Sequence, residues 1–268
     1  MATSISSGAN PQIKEIVKLQ KSARERRKRQ LFVTEGFKLT KEAASYGRLQ
    51  KIYVSESARD DMAAKDWHKV LENHPYEIVA DSVFQQISET VTPQGILGLA
   101  EMPVYGLDDI LMDQRRSILV LDGLRDPGNL GTIIRTAEGA DMSGVILSRE
   151  SVDLFNPKTV RSTMGAIFRV PFYYVEDLVL AIEQIKQRGI PVYGTMMQGS
   201  MLYDEVDYRE GAAVVIGNEA NGISGQVSEV LSKKVRIPMA GNLESLNAAV
   251  SAVILMYEVF RQRRKDGR

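Results

Sequence analysis

Residues 117–121, Ser-Ile-Leu-Val-Leu, show no alternation of polar and apolar side chains, and the run stops abruptly at Asp122. A strand with one wet face alternates with period two, so an uninterrupted apolar run predicts a strand covered on both faces, as in a parallel sheet flanked by helices. Residues 212–216, Ala-Ala-Val-Val-Ile, repeat the pattern and run straight into Gly217. Helix-forming and strand-forming segments alternate around these two runs. We expect strands at 117–122, 144–147, 191–195, 212–216 and 234–237, and a closing helix at 245–262. Residues 117–268 therefore read as an α/β domain built on a mostly parallel sheet.

With 268 residues the chain has room for a second, smaller core. Residues 1–105 supply it as another α/β layer. Ile13, Ile16 and Val17 form one apolar stripe of a basic helix that starts at Asn10. The run LFVTEG follows, then a helical pattern from 37 to 46 ended by Gly47. Beyond it lie a strand at 51–55, a helix at 59–73, a strand at 76–80, a helix opening at Asp81 and a strand at 95–102. An acidic segment at 106–116 is expected to link the two domains. Charge is distributed unevenly: residues 1–48 carry 11 Lys and Arg against 4 Asp and Glu, whereas residues 49–116 carry 6 against 12. A basic N-terminal segment on a chain of zero net charge fits a polyanion binder, and equally a solvated helix face. With no cysteine, disulfides, thiolate metal sites and sulfur nucleophiles are excluded. His68 and His74 have no ligand spacing, so no metal is expected. No stretch approaches the roughly 20 apolar residues of a membrane-spanning helix, and the first thirty residues are polar and basic, so a cytoplasmic location is expected.

Three segments carry polar residues where apolar strands end. In LDGLRDPGNLGTIIRTAEGAD a strand ends at Asp122, a turn follows at Asp126, Pro127, Gly128 and Asn129, and a helix carries Arg135 six residues on. Such strand-to-helix junctions expose backbone amides to anions, though an ordinary α/β connection has the same form. In AAVVIGNEANGIS the polar triplet Gly217, Asn218 and Glu219 sits at a strand's carboxyl end, where open parallel sheets bind ligands; a simple tight turn is the plainer account. In RIPMAGNLESLNAAVSAVILMYE, Ser245 is placed to cap the last helix, and Ala248, Ala249, Ser251 and Ala252 allow close packing.

Taken together, N-x-G-x-x-x-R, G-N-E-x-x-G and I-P-M with S-L-N, in this order and spacing, resemble the SpoU family of RNA methyltransferases, also called the TrmH family. FNPKTVRSTMGAIFRVPF and YGTMM add similar wording. NPQIKEIVKL and FVTEG resemble the ribosomal-protein L30e-like RNA-binding extension found in many such enzymes. The resemblance implies a trefoil-knotted, SPOUT-type C-terminal domain with a smaller L30e-like α/β domain before it, acting as a homodimer. It implies S-adenosylmethionine held around Gly194, Thr195, Gly217, Asn218, Ile237, Met239 and Leu246. Asn129, Arg135, Glu219, Ser245 and Asn247 would form the catalytic neighbourhood. Arg24, Arg26, Arg27, Lys28 and Arg29 would meet RNA phosphates, and Arg161 and Ser162 are further candidates that serve equally well as a helix cap.

The implied reaction is methyl transfer to a ribose 2′-hydroxyl of structured RNA. Ribosomal RNA is favoured over transfer RNA because the extension resembles a ribosomal protein. A guanidinium normally stays charged, so Arg135 is expected to stabilise the developing oxyanion or clamp a phosphate; it is not expected to act as the base. Two rival readings are methylation of a guanine nitrogen on the same scaffold, and an RNA-binding protein without catalysis.

Overall fold

The computed structural model describes residues 4–59, 67–197 and 201–265. Contacts divide the chain into two compact units: residues 1–104 with 155–168, and residues 105–154 with 169–268.

The first unit opens with α1 (Pro11–Lys21), capped by Asn10, whose side chain accepts from the Gln12 amide at 2.8 Å. The basic helix expected to run on from here breaks at Ser22, which is extended and caps α2 (Ala23–Arg29). Four strands follow: β1 (Leu31–Glu35), β2 (Leu49–Ser55), β3 (Tyr76–Val79) and β4 (Ile96–Glu101). They lie in the order β1-β4-β2-β3, with β4 antiparallel to both neighbours and β2 parallel to β3. Helix α3 (Phe37–Ser45) follows β1, α4 (His68–Asn73) follows β2 and α5 (Asp81–Ile87) follows β3. The predicted helix over 59–73 lies partly outside the described residues. Ile13, Ile16 and Leu19 of α1 face Tyr53, Phe84 and Ile87 in one core. Phe32, on β1, packs its ring against Phe155 at 5.0 Å and Phe168 at 5.9 Å. That stacking is why residues 155–168, expected with the C-terminal domain, group with this unit. The segment contains α8 (Pro157–Ser162).

The second unit begins with a correction. Residues 106–116, expected as a linker, contain α6 (Leu107–Leu111), whose Ile110 and Leu111 are buried in this unit's core. Seven strands then form one sheet: β5 (Ser117–Leu121), β6 (Gly144–Ser148), β7 (Phe172–Val175), β8 (Val192–Thr195), β9 (Met201–Leu202), β10 (Ala212–Ile216) and β11 (Lys233–Arg236). The order is β7-β6-β5-β10-β8-β11-β9, and every pairing is parallel. Helices α7 (Pro127–Gly139), α9 (Leu178–Gln187), α10 (Gly225–Val230) and α11 (Ala248–Lys265) complete the unit. Ile118, Val120 and Val215 share a core with α6, α9 and α10, while α7 and α11 pack together, α7 against β6 and α11 against β10. Covered on both sides, β5 and β10 are buried at every residue, as their unbroken apolar runs require.

Parallel pairing places all carboxyl ends of these strands on one edge of the sheet. The three polar segments singled out in the sequence all leave from that edge.

Candidate active site

Asp122, just past β5, accepts a hydrogen bond from the Ser224 amide at 2.7 Å. Asn218, just past β10, donates to the Gly123 carbonyl at 2.7 Å. Its side-chain oxygen accepts from the amides of Ala220 and Asn221, closing the loop on itself. This closure is what demands Gly217: a Cβ there would lie 2.1 Å from the Gly222 carbonyl carbon, and Gly222 itself has φ +68°.

Glu219 then reaches across to the other loop. It accepts from the amides of Arg125 and Asp126, each at 3.1 Å, and from the Asn129 side chain at 3.0 Å. Asp126 caps α7 by accepting from the Asn129 amide at 2.7 Å, so Asn129 is held at both backbone and side chain. The Asn129 side-chain oxygen accepts in turn from Asn247 at 3.0 Å. Asn247 also caps α11, accepting from the amides of Ala249 and Val250. The helix predicted to begin with Ser245 as its cap thus starts three residues later, because the Asn247 side chain reaches those amides. Glu219, Asn129 and Asn247, 90 and 118 residues apart along the chain, form one continuous hydrogen-bonded line. Burial opposes ionisation of Glu219, yet the hydrogen bonds from Asn129 and the amides of Glu219, Arg125 and Asp126 outweigh it and hold its carboxyl below the usual carboxylate range.

Beside this line lies a cleft of about 450 Å³, within the range of about 300 to 1,000 Å³ usual for small-molecule sites. Thr195, Gly217, Asn218 and Glu219 line it from β8 and β10, and Ile237, Met239, Ser245 and Leu246 from the loop after β11. Gly194 does not line it. A Cβ at that position would strike Leu231 at 2.2 Å, so its glycine serves close packing within the unit. Thr195 donates its hydroxyl to the Val215 carbonyl at 3.1 Å, tying β8 to β10 at the cleft floor. Apolar walls with hydroxyls, loop backbone and strand ends between them suit a nucleoside-sized molecule that carries an uncharged aromatic ring. Sequence reasoning missed Met196, Met197, Arg236 and Ser251 on the same lining; the strand-end positions of Met196 and Arg236 were the available signal.

Arg135 stands apart from that line. It is exposed on α7, and its guanidinium makes no hydrogen bond or ion pair within the described residues. Six residues beyond Asn129, it lies roughly 9 Å further along the helix axis.

The residues expected to grip RNA behave unequally. Arg24, Arg27 and Lys28 are exposed on α2, and Lys14, Lys18 and Lys21 on α1 belong to the same basic run. Arg26 is corrected: it is 3% exposed and donates to the carbonyls of Leu19 and Gln20, sealing the end of α1 from within. Arg29 is paired with Glu15 and with Glu25. Arg161 lies 3.7 Å from Glu35, and Ser162 returns its hydroxyl to the Lys158 carbonyl within α8. Both therefore have structural partners.

Residues 116–257 match the SpoU rRNA Methylase family, and residues 10–98 match the MRM3-like substrate binding domain. The chain is 34% identical over 256 residues, 95% of its length and 98% of the relative's, to the Bacillus subtilis protein named 23S rRNA (guanosine(2553)-2'-O)-methyltransferase RlmP. The AdoMet-bound rRNA methyltransferase from Sinorhizobium meliloti superposes with a TM-score of 0.85 at 32% identity, covering 97% of this chain and 98% of that one. The SpoU methyltransferase AviRb from Streptomyces viridochromogenes, in complex with AdoMet, gives 0.86 at 26% identity over 95% and 98%. Cleft, hydrogen-bonded line and relatives agree that the chain belongs to the SpoU rRNA methylase family, whose members use S-adenosylmethionine, and that it carries an MRM3-like substrate-binding domain before the methylase core.

Proposed function

We propose that this protein methylates a ribose 2′-hydroxyl of ribosomal RNA. The observation that carries the reading is the line Glu219–Asn129–Asn247 at the rim of the cleft, in a chain of the SpoU family. Bound S-adenosylmethionine supplies a methyl group on a positively charged sulfur, an electrophile with a neutral leaving group. Thr195, Ile237, Met239, Ser245 and Leu246 would hold it in the cleft.

The chain's own task is to bring a weak nucleophile into line and stabilise it as its proton leaves. Asn129 is fixed on two sides, so it can orient a ribose without giving way. Arg135 offers a permanently charged planar fork with no partner of its own in the described residues, suited to a developing oxyanion or an adjacent phosphate. The proton passes to solvent.

A second copy of the chain completes the site in this reading. Along α11, Val250, Val253, Ile254 and Tyr257 form an apolar stripe at helical spacing, with Val250 and Tyr257 45% and 46% exposed. That helix packs on α7, which carries Arg135, so a copy seated on the stripe would lie near the guanidinium. The trefoil knot implied by the family resemblance belongs to the same proposal. The exposed basic surface of α1 and α2 supplies a sequence-independent grip on RNA phosphates, and a cytoplasmic location belongs to the same proposal.

The test is to map 2′-O-methyl groups in ribosomal RNA from cells with and without the gene. One alkali-resistant linkage should disappear with the gene and return with the purified protein and S-adenosylmethionine. Loss of a base methyl in its place would sink the ribose assignment. Near-normal turnover in Arg135→Lys would remove the two-pronged contact from the account.

A further inference from the structure

Among the described residues, the lining of the cofactor cleft contains two ionisable side chains, Glu219 and Arg236. Glu219 is committed to two backbone amides and Asn129. Arg236 is the last residue of β11 and exposed, and its guanidinium makes no hydrogen bond or ion pair within the described residues. A cleft that takes a molecule bearing one carboxylate, one ammonium and one sulfonium thus presents a single uncommitted charge, and it is positive.

We propose that Arg236 binds the methionine carboxylate of S-adenosylmethionine. The proposal rests on the assignment of the cleft to that cofactor. Of the cofactor's charged groups the carboxylate is the sole anion, and a guanidinium is the side chain whose forked donors match carboxylate geometry. Placing the carboxylate at the β11 end also keeps the sulfonium away from Arg236, since like charges in a partly dehydrated cleft repel. The consequence for the site is directional. One end of the cofactor is anchored at the edge of the cleft formed by β11, which leaves its reactive end to be aligned by the loop after β10. Glu219 stiffens that loop and so needs no contact with the cofactor itself.

The test compares two probes on the purified full-length protein by calorimetry: S-adenosylmethionine, and 5′-methylthioadenosine, which lacks both the carboxylate and the ammonium. Arg236→Gln should weaken S-adenosylmethionine by at least about tenfold, the usual scale of a charged hydrogen bond, and leave 5′-methylthioadenosine unchanged. Arg236→Lys should recover part of the loss, because the charge returns without the fork. Equal weakening of both probes would overturn the proposal and mark Arg236 as a structural support of the loop. Unchanged S-adenosylmethionine affinity with reduced RNA affinity would overturn it in favour of a phosphate contact. Wild-type protein that binds neither probe would overturn the cleft assignment itself, a result distinct from both.

Discussion

Two carboxylates stand at or just past strand ends in the two units and organise their surroundings in different ways. Glu35 ends β1 in the first unit; its side chain is 8% exposed, accepts from the Ser88 hydroxyl, the Glu89 amide and the Thr90 hydroxyl, and has the Arg161 guanidinium 3.7 Å away. Glu219 follows β10 in the second unit and accepts only from neutral donors, two amides and an asparagine. Glu35 closes a packed region around its own neighbours. Glu219 lines a cleft that has room for a ligand and passes its constraint outward, through Asn129 to Asn247, to the loops beside it. The same device, a carboxylate collecting orphaned donors, is structural where it ends in packing and functional where the carboxylate itself lines a cavity, as Glu219 does.

The largest effect that would sharpen this contrast is on turnover. Glu219→Gln turns an acceptor into a donor facing an amide, so Asn129 should lose its position; methyl transfer is expected to fall by about 100-fold, the scale of a misplacement of about 1 Å. Glu35→Gln should leave the affinity for S-adenosylmethionine unchanged. Equal turnover in the two variants would erase the distinction. The next effect is on stability: Glu35→Ala removes the acceptor of two part-buried hydroxyls and the partner of the Arg161 guanidinium, and should cost about 1 kcal/mol in denaturant unfolding.

A smaller pair of effects separates neighbours in the basic run. Arg26→Ala should lower the unfolding midpoint, because two carbonyls lose a buried donor. Arg27→Ala should change stability by less than about 0.5 kcal/mol and reduce the salt dependence of RNA binding by about one phosphate contact. The reverse pattern would mean that α2 meets RNA with the opposite face. The subtlest effect is on pH. Glu219 is held below its ordinary value of 4.5, so its stabilisation is present above that value and is lost as the pH falls through its lower folded value. Unfolding midpoints measured downward from pH 5 should drop more steeply for the wild type than for Glu219→Gln.

The sequence made the central strands legible because their chemistry is redundant. β5 and β10 are buried on both faces and lie next to each other in the middle of the sheet, so every position after Ser117 is apolar. Two strands that the periodicity did not yield, β7 and β9, are the two edges of the same sheet. An edge strand has one neighbour and a partly wet face; β7 exposes Tyr173, β9 is two residues long, and neither leaves a run to read. The segment 106–116 misled for a related reason. Its acidic residues are on the surface of α6, while Ile110 and Leu111, too few to form a pattern, hold it in the core.

By itself, the sequence determined that a parallel sheet would form and that polar residues would gather past its strand ends, because burial on two faces and the turn chemistry of glycine and asparagine act locally. Only the tertiary structure decided that Asn129, Glu219 and Asn247 would meet, that Arg26 would turn inward while Arg27 stayed out, and that Arg236 would face the cleft. Those outcomes depend on the order of strands in the sheet and on which carbonyls and amides remain unpaired after packing. No periodicity along the chain carries that information.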